Sequence, residues 1–135
     1  MIKMVVNVWR RSGMSQEAFE RRWLVEHGAL VTKHARAMGF VRYVQSHKVP
    51  SAAIDAFAEG RGWQLPPDGV TEIWWHSMET MNAALASPEG QAASAELAAD
   101  EKEFVDSRQI SAFLAVEHVI FDYVAEGRVV ACQGE

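Results

Sequence analysis

Two rhythms of apolar residues divide the first third of the chain. Ile2 to Arg10 alternates, with Val6 and Val8 on one face and Val5, Asn7 and Trp9 on the other, and so predicts a strand. After the turn Arg11-Ser12-Gly13-Met14 the period becomes helical over Ser15–Met38, with Phe19, Trp23, Leu30 and Met38 on the apolar stripe. Ser15 suits an N-cap and Gly39 a C-cap. Gly28 lies inside this helix, where glycine costs about 1 kcal/mol relative to alanine, which predicts a kink or a close approach there.

The rest of the chain continues in the same manner. Phe40–Val49 reads as a second strand that Pro50 stops, and Ser51–Gly69 as a long irregular excursion with room for a short helix at Ala52–Glu59. Val70–Ser77 is a third strand, with Glu72, Trp74 and His76 on one face and Thr71, Ile73 and Trp75 on the other. A short helix follows at Met78–Ala86. Ser87-Pro88 opens another that is expected to run to about Ser107, with Ala93, Leu97 and Phe104 on its stripe. Ile110–Val124 is expected as the final strand region and 125–135 as a tail.

The order β-α-β-β-α-α-β predicts an α+β, ferredoxin-like sandwich: a four-stranded antiparallel sheet with its helices on one face, formed by one domain over 1–124. The strand faces carrying Trp9, Tyr43, Trp74 and Phe113 look too apolar to stand in water. They predict a homodimer joined through its sheet faces.

Two polar residues break the helical stripes. His27 lies four residues after Trp23 and three before Leu30, and Asp100 three after Leu97 and four before Phe104. An imidazole on a buried face is either bonded to a backbone carbonyl as a structural element or has work to do. A carboxylate beside it would fix its tautomer and make it a usable general base. Asp100 is equally suited to an ion pair with Arg22 or Arg36. Glu72 is a rival partner for His27, and His118 on the last strand a possible second cavity histidine.

Composition narrows the classes. With 49% hydrophobic and 23% charged residues, the 135-residue chain has the balance of a globular domain, and it lacks a long uncharged apolar run. No membrane span is expected, the first residues do not read as a signal peptide, and the lone Cys132 allows no intrachain disulfide; the expected location is cytoplasmic. Residues 1–50 hold nine Lys/Arg against three Asp/Glu, whereas 51–135 hold four against fifteen. That asymmetry predicts that the halves face one another or a symmetry mate, and the scattered basic residues argue against nucleic acid. The five histidines show no H-x-H or H-E-x-x-H spacing, so no metal site is expected, and no phosphate loop or nucleotide fingerprint is present.

Several segments taken together resemble the EthD family: Phe19-x-x-x-Trp23-x-x-x-His27-Gly28-x-Leu30-Val31, Arg42-Tyr43-Val44-Gln45, Asp68-Gly69-Val70-Thr71-Glu72-Ile73-Trp74, Ser87-Pro88-Glu89, and Ala99-Asp100-Glu101-x-x-Phe104-Val105-Asp106. The resemblance implies a dimeric α+β barrel built from ferredoxin-like subunits. It also implies an enzyme that needs no metal or organic cofactor, of monooxygenase, isomerase, cyclase or dehydratase type, acting on a small hydrophobic oxygenated or aromatic compound. The family's motif histidine falls on His27 and its acids on Glu72 and Asp100, giving those three as catalytic candidates. Trp9, Trp23, Tyr43, Trp74 and His118 are the expected substrate-binding residues. The chain departs from the family pattern at 50–69 and at Gly28-Ala29. A non-catalytic protein that holds a hydrophobic ligand is the alternative, and haem breakdown through Asn7, Trp74 and His76 a minor third.

Overall fold

The computed structural model describes residues 1–128; Cys132 and the end of the expected tail lie outside the described residues. Four strands form one antiparallel sheet in the order β2-β3-β1-β4, where β1 is Ile2–Val8, β2 Arg42–His47, β3 Gly69–Trp75 and β4 Ser111–Ala115. The helices α1 (Gln16–Arg21), α2 (Gly28–Met38), α4 (Met78–Ala86) and α5 (Pro88–Glu101) contribute the residues that pack on one face of it. The expected ferredoxin-like sandwich is therefore present.

The long first helix is unbroken but not uniform. Between α1 and α2, residues Arg22–His27 wind as a π-helix, and the Gly28 N–H reaches back five residues to the Trp23 carbonyl. The physical reason lies in the spacing of the core residues. Phe19, Trp23, His27 and Val31 are all buried and all four apart. In a regular helix of 3.6 residues per turn each such step overshoots by about 40°, so four side chains would fan around the axis. One wide turn absorbs the drift and keeps them in line. The irregularity foreseen at Gly28 thus takes the form of a widened turn before it.

Other boundaries differ in instructive ways. α3 (Ala52–Gly60) occupies the excursion, capped by the Ser51 hydroxyl accepting from the Ile54 N–H. α5 stops at Glu101 rather than near Ser107, and Phe104 reaches the core from the turn beyond it. β4 covers only five residues of the expected strand: it ends at Ala115, and Val116, Val119, Ile120, Phe121 and Val124 are exposed. Those side chains look strand-like in sequence because they are apolar, but among the described residues no neighbouring strand pairs with them.

The faces of the sheet also correct the sequence reading. Tyr43 pairs in register with Ile73, and both turn toward the helices. Trp74 and Phe113 point the other way, so Tyr43 does not belong with them. That outer face is less apolar than expected. Lys3 pairs with Glu72, the Arg42 guanidinium lies 4.4 Å over the Trp74 ring, and the Trp74 indole N–H donates to Glu117 at 3.1 Å. Trp74 is only 6% exposed as a result, whereas Phe113 is 57% exposed. Charge complementarity between the halves is realised inside the chain, with Lys3–Glu72, Arg22–Asp100 and Lys48–Asp68 each joining a base of the first fifty residues to a later acid.

Candidate functional site

A cavity of about 190 Å³ lies between the helix face of the sheet and the helices. Met4, Val6, Val8, Tyr43, Thr71 and Ile73 form its sheet wall; Trp23, His27, Val31, Leu97 and Glu101 are prominent on the helical side. Gly69 makes the approach of Trp23 possible, since a Cβ there would fall 2.5 Å from the indole ring. Trp23 in turn stacks on His47 with centroids 4.5 Å apart.

His27 is 5% exposed and has two distinct ring nitrogens. Nδ1 lies 2.8 Å from Asp100 Oδ2, and the Arg22 guanidinium grips the same carboxylate with both terminal nitrogens. Hydrogen bonding to Arg22 holds the Asp100 carboxyl below the usual carboxylate range, so it is ionised and accepts. It follows that Nδ1 carries the proton and donates, leaving the Nε2 lone pair free. Burial lowers the His27 pKa more than Asp100 raises it, so the ring is neutral at pH 7. The Phe104 ring, 5.0 Å away between centroids, closes one side.

Glu101 is the residue that sequence reasoning passed over. Its Oε1 stands 4.0 Å from His27 Nε2, and its side chain lines the cavity. Burial first, and then the Asp100 charge, push its carboxyl up to about 7. Water still reaches 41% of the side chain, so desolvation acts from one side only. A sequence signal existed: Glu101 is four residues past Leu97 and three before Phe104, so it shares their stripe as fully as Asp100 does.

The π-turn is held from the sheet. Gln45 Nε2 donates to the Trp23 carbonyl at 2.9 Å and to the Tyr43 hydroxyl at 3.1 Å, while Gln45 Oε1 lies 2.8 Å from His47 Nε2. π-turns of this kind recur at functional sites, where they re-aim a side chain. Here the turn ends on His27.

The expected site residues therefore separate into two groups. Trp23, His27 and Tyr43 line the cavity, with Asp100 directly behind His27. Glu72 and Trp74 are on the opposite face of the sheet, where Glu72 is bound to Lys3. It is not the partner of His27. Trp9 follows β1, and its carbonyl accepts the Asp106 N–H at 2.8 Å, away from the cavity. His118 is exposed beyond β4 and does not line it either. Among the described residues no group of three or more His, Cys, Asp or Glu is arranged to hold a metal ion.

The EthD domain model matches residues 11–108. The chain belongs to the EthD family. Solved structures of the same fold include an EthD-family protein from Bacillus halodurans, 15% identical with a TM-score of 0.57 over 87% of this chain and 100% of that one. An Arabidopsis thaliana protein is 15% identical with a TM-score of 0.59 over 90% and 99% of the two chains. A dimeric ferredoxin-like protein from Thermobifida fusca is 11% identical, with a TM-score of 0.53 over 86% and 90%. No curated protein sequence matches the chain. No helix among the described residues of this EthD domain is long and apolar enough to cross a membrane.

Proposed function

We propose that this EthD domain is a cofactor-independent enzyme whose general acid/base is His27, acting on a small hydrophobic oxygenated compound. One observation supports the reading above all: a neutral imidazole, tied by Nδ1 to an ionised Asp100, presents its free Nε2 to an apolar cavity. Asp100 orients the ring and stabilises the imidazolium that forms when Nε2 takes a proton. Trp23 and Tyr43 bound the substrate. A structural histidine would spend its polar atoms on the protein, but His27 keeps one for the cavity.

The working unit is a homodimer joined through the outer sheet faces. The 57% exposed Phe113 and the apolar segment after β4 support this, and the Thermobifida fusca protein of the same fold is described as dimeric. Light scattering should give twice the mass of the chain, and a monomer at micromolar concentration removes this part of the proposal.

The catalytic assignment is tested by incubating a panel of neutral hydroxylated and keto mono- and bicyclic compounds with the protein and following products by mass spectrometry. Turnover is expected to fall by about 10²–10⁴-fold in His27→Ala, in line with the loss of a general base. Full turnover in that variant ends the assignment. Tight binding of panel members without turnover, equal in both proteins, would instead identify a ligand-binding accessory protein.

A further inference from the structure

We infer that Glu101 is a second catalytic residue, the proton donor facing His27 across the cavity, and that the pair is built to enolise a neutral carbonyl compound. The inference rests on the reading of His27 as the base and adds to it a partner and a substrate class.

The geometry comes first. Nε2 of His27 and Oε1 of Glu101 are 4.0 Å apart and both border the same cavity. That gap is too long for a hydrogen bond between them and short enough for both to touch one small group. A carbonyl and its α-carbon are such a group: two adjacent sites, one giving up a proton while the other takes one. Nε2 removes the α-proton, and the C–H electron pair becomes the C=C bond. The carbonyl oxygen then takes the Glu101 proton, leaving an enol, an imidazolium paired with Asp100 and a Glu101 carboxylate. Return of a proton to the same carbon regenerates the ketone, and return to a different atom isomerises it. No electrons leave or enter, so the step needs no oxidant or metal.

The lining defines the class. None of the residues around the cavity is Lys or Arg, and Arg22, behind His27, is bound to Asp100 and Glu26. A carboxylate or phosphate on the substrate would be desolvated in a largely apolar cavity whose lining offers no cation to offset its charge. The remaining polar groups, Tyr43, Thr71 and Ser94, are uncharged hydroxyls suited to an oxygenated but neutral molecule.

Electrostatics agree with the roles. The groups around Glu101 are Asp100 on its own helix, His27 with Arg22 behind it on the first helix, and Tyr43 on the sheet. Desolvation and Asp100 keep Glu101 protonated up to about pH 7, where an acid is most effective near neutrality. The pair titrates as a unit, so a pH–rate profile reports it as a whole.

The test follows exchange of α-protons for deuterium in D₂O by proton NMR, using 2-tetralone as the neutral ketone and phenylpyruvate as the anionic one. Wild-type protein should exchange 2-tetralone well above the buffer rate, with the rate declining above pH 7, and leave phenylpyruvate at the buffer rate. Glu101→Gln should be about 10–100-fold slower and lose the decline above pH 7; Glu96→Gln, an exposed change on the same helix, should match wild type in both. The inference is overturned if Glu101→Gln keeps the wild-type rate and pH profile, if phenylpyruvate exchanges faster than 2-tetralone, or if wild type leaves 2-tetralone at the buffer rate. Loss of exchange in His27→Ala with Glu101→Gln unchanged removes Glu101 alone. His27→Ala at the wild-type rate removes the underlying reading too.

Discussion

Two histidine–carboxylate pairs bridge α5 to the first long helix. His27 meets Asp100, and His34 meets Glu96 at 2.6 Å. The residue types are nearly the same, yet the pairs differ in which nitrogen they use and in what surrounds them. His27 is tied through Nδ1, which turns Nε2 to the cavity. His34 is tied through Nε2, its outermost atom, to a carboxylate whose side chain is 56% exposed. The first arrangement leaves a basic nitrogen in an apolar space; the second consumes it at the surface. A histidine beside an acid therefore says little about chemistry until the bonded nitrogen and the surroundings of the other are known.

Neutralising each acid in turn separates the two pairs most clearly. Asp100→Asn should lower turnover by about 10²–10⁴-fold, since the amide no longer holds the tautomer, and should cost about 1–3 kcal/mol because Arg22 loses the carboxylate that both its terminal nitrogens grip. Glu96→Gln should change stability by less than about 1 kcal/mol and leave turnover intact. Urea unfolding and the panel assay measure both, and equal effects would erase the distinction.

A smaller effect lies in the pH dependence of stability. Burial depresses the His27 pKa, so below its ordinary 6.5 the unfolded chain binds a proton that the folded chain resists, and His27 makes stability fall as pH drops through that range. Glu101 has the opposite sign. The folded protein keeps its proton up to about 7, whereas the unfolded chain releases it above about 4.5, so Glu101 makes stability fall as pH rises between those values. With its side chain 41% open to water, the contribution is on the order of 1 kcal/mol. Glu101→Gln should remove that decline in urea midpoints taken from pH 5 to pH 8, and a variant that retains it would place the titrating group elsewhere. Smallest of all, His34→Ala should shift the urea midpoint by an amount equivalent to no more than about 1 kcal/mol.

Much of this arrangement was legible in the residues. Helical periodicity put His27 and Asp100 on facing stripes, and their contact followed once both helices packed on one sheet face. Four things are not legible, each for a definite reason. Glu101 shares its stripe with Asp100, and sequence gave no ground for choosing which acid meets Nδ1 and which meets the cavity. Tyr43 lines the cavity as expected, but its grouping with Trp74 and Phe113 fails because strand alternation fixes which residues of one strand go together and not which set turns inward; that depends on register with Ile73. Glu72 is no partner for His27 for the same reason, since its neighbours Thr71 and Ile73 face the cavity and it cannot. The last strand is shorter than its sequence suggests because apolar composition alone does not make a pair, and pairing needs an available edge.

The widened turn at Arg22–His27 has a bearing on how this sequence can change. It works as a phase adjuster between two halves of one helix, each already committed to its own part of the core: Phe19 before it and Trp23 at its start, Val31 and Met38 after it. Removing a single residue from the turn would rotate everything upstream by about 100° and swing Phe19 and Trp23 toward solvent. Adding one would do the same in the other sense. The helix can therefore drift freely in the identity of its exposed residues but not in its length, and chains that share this core should align through the segment without gaps.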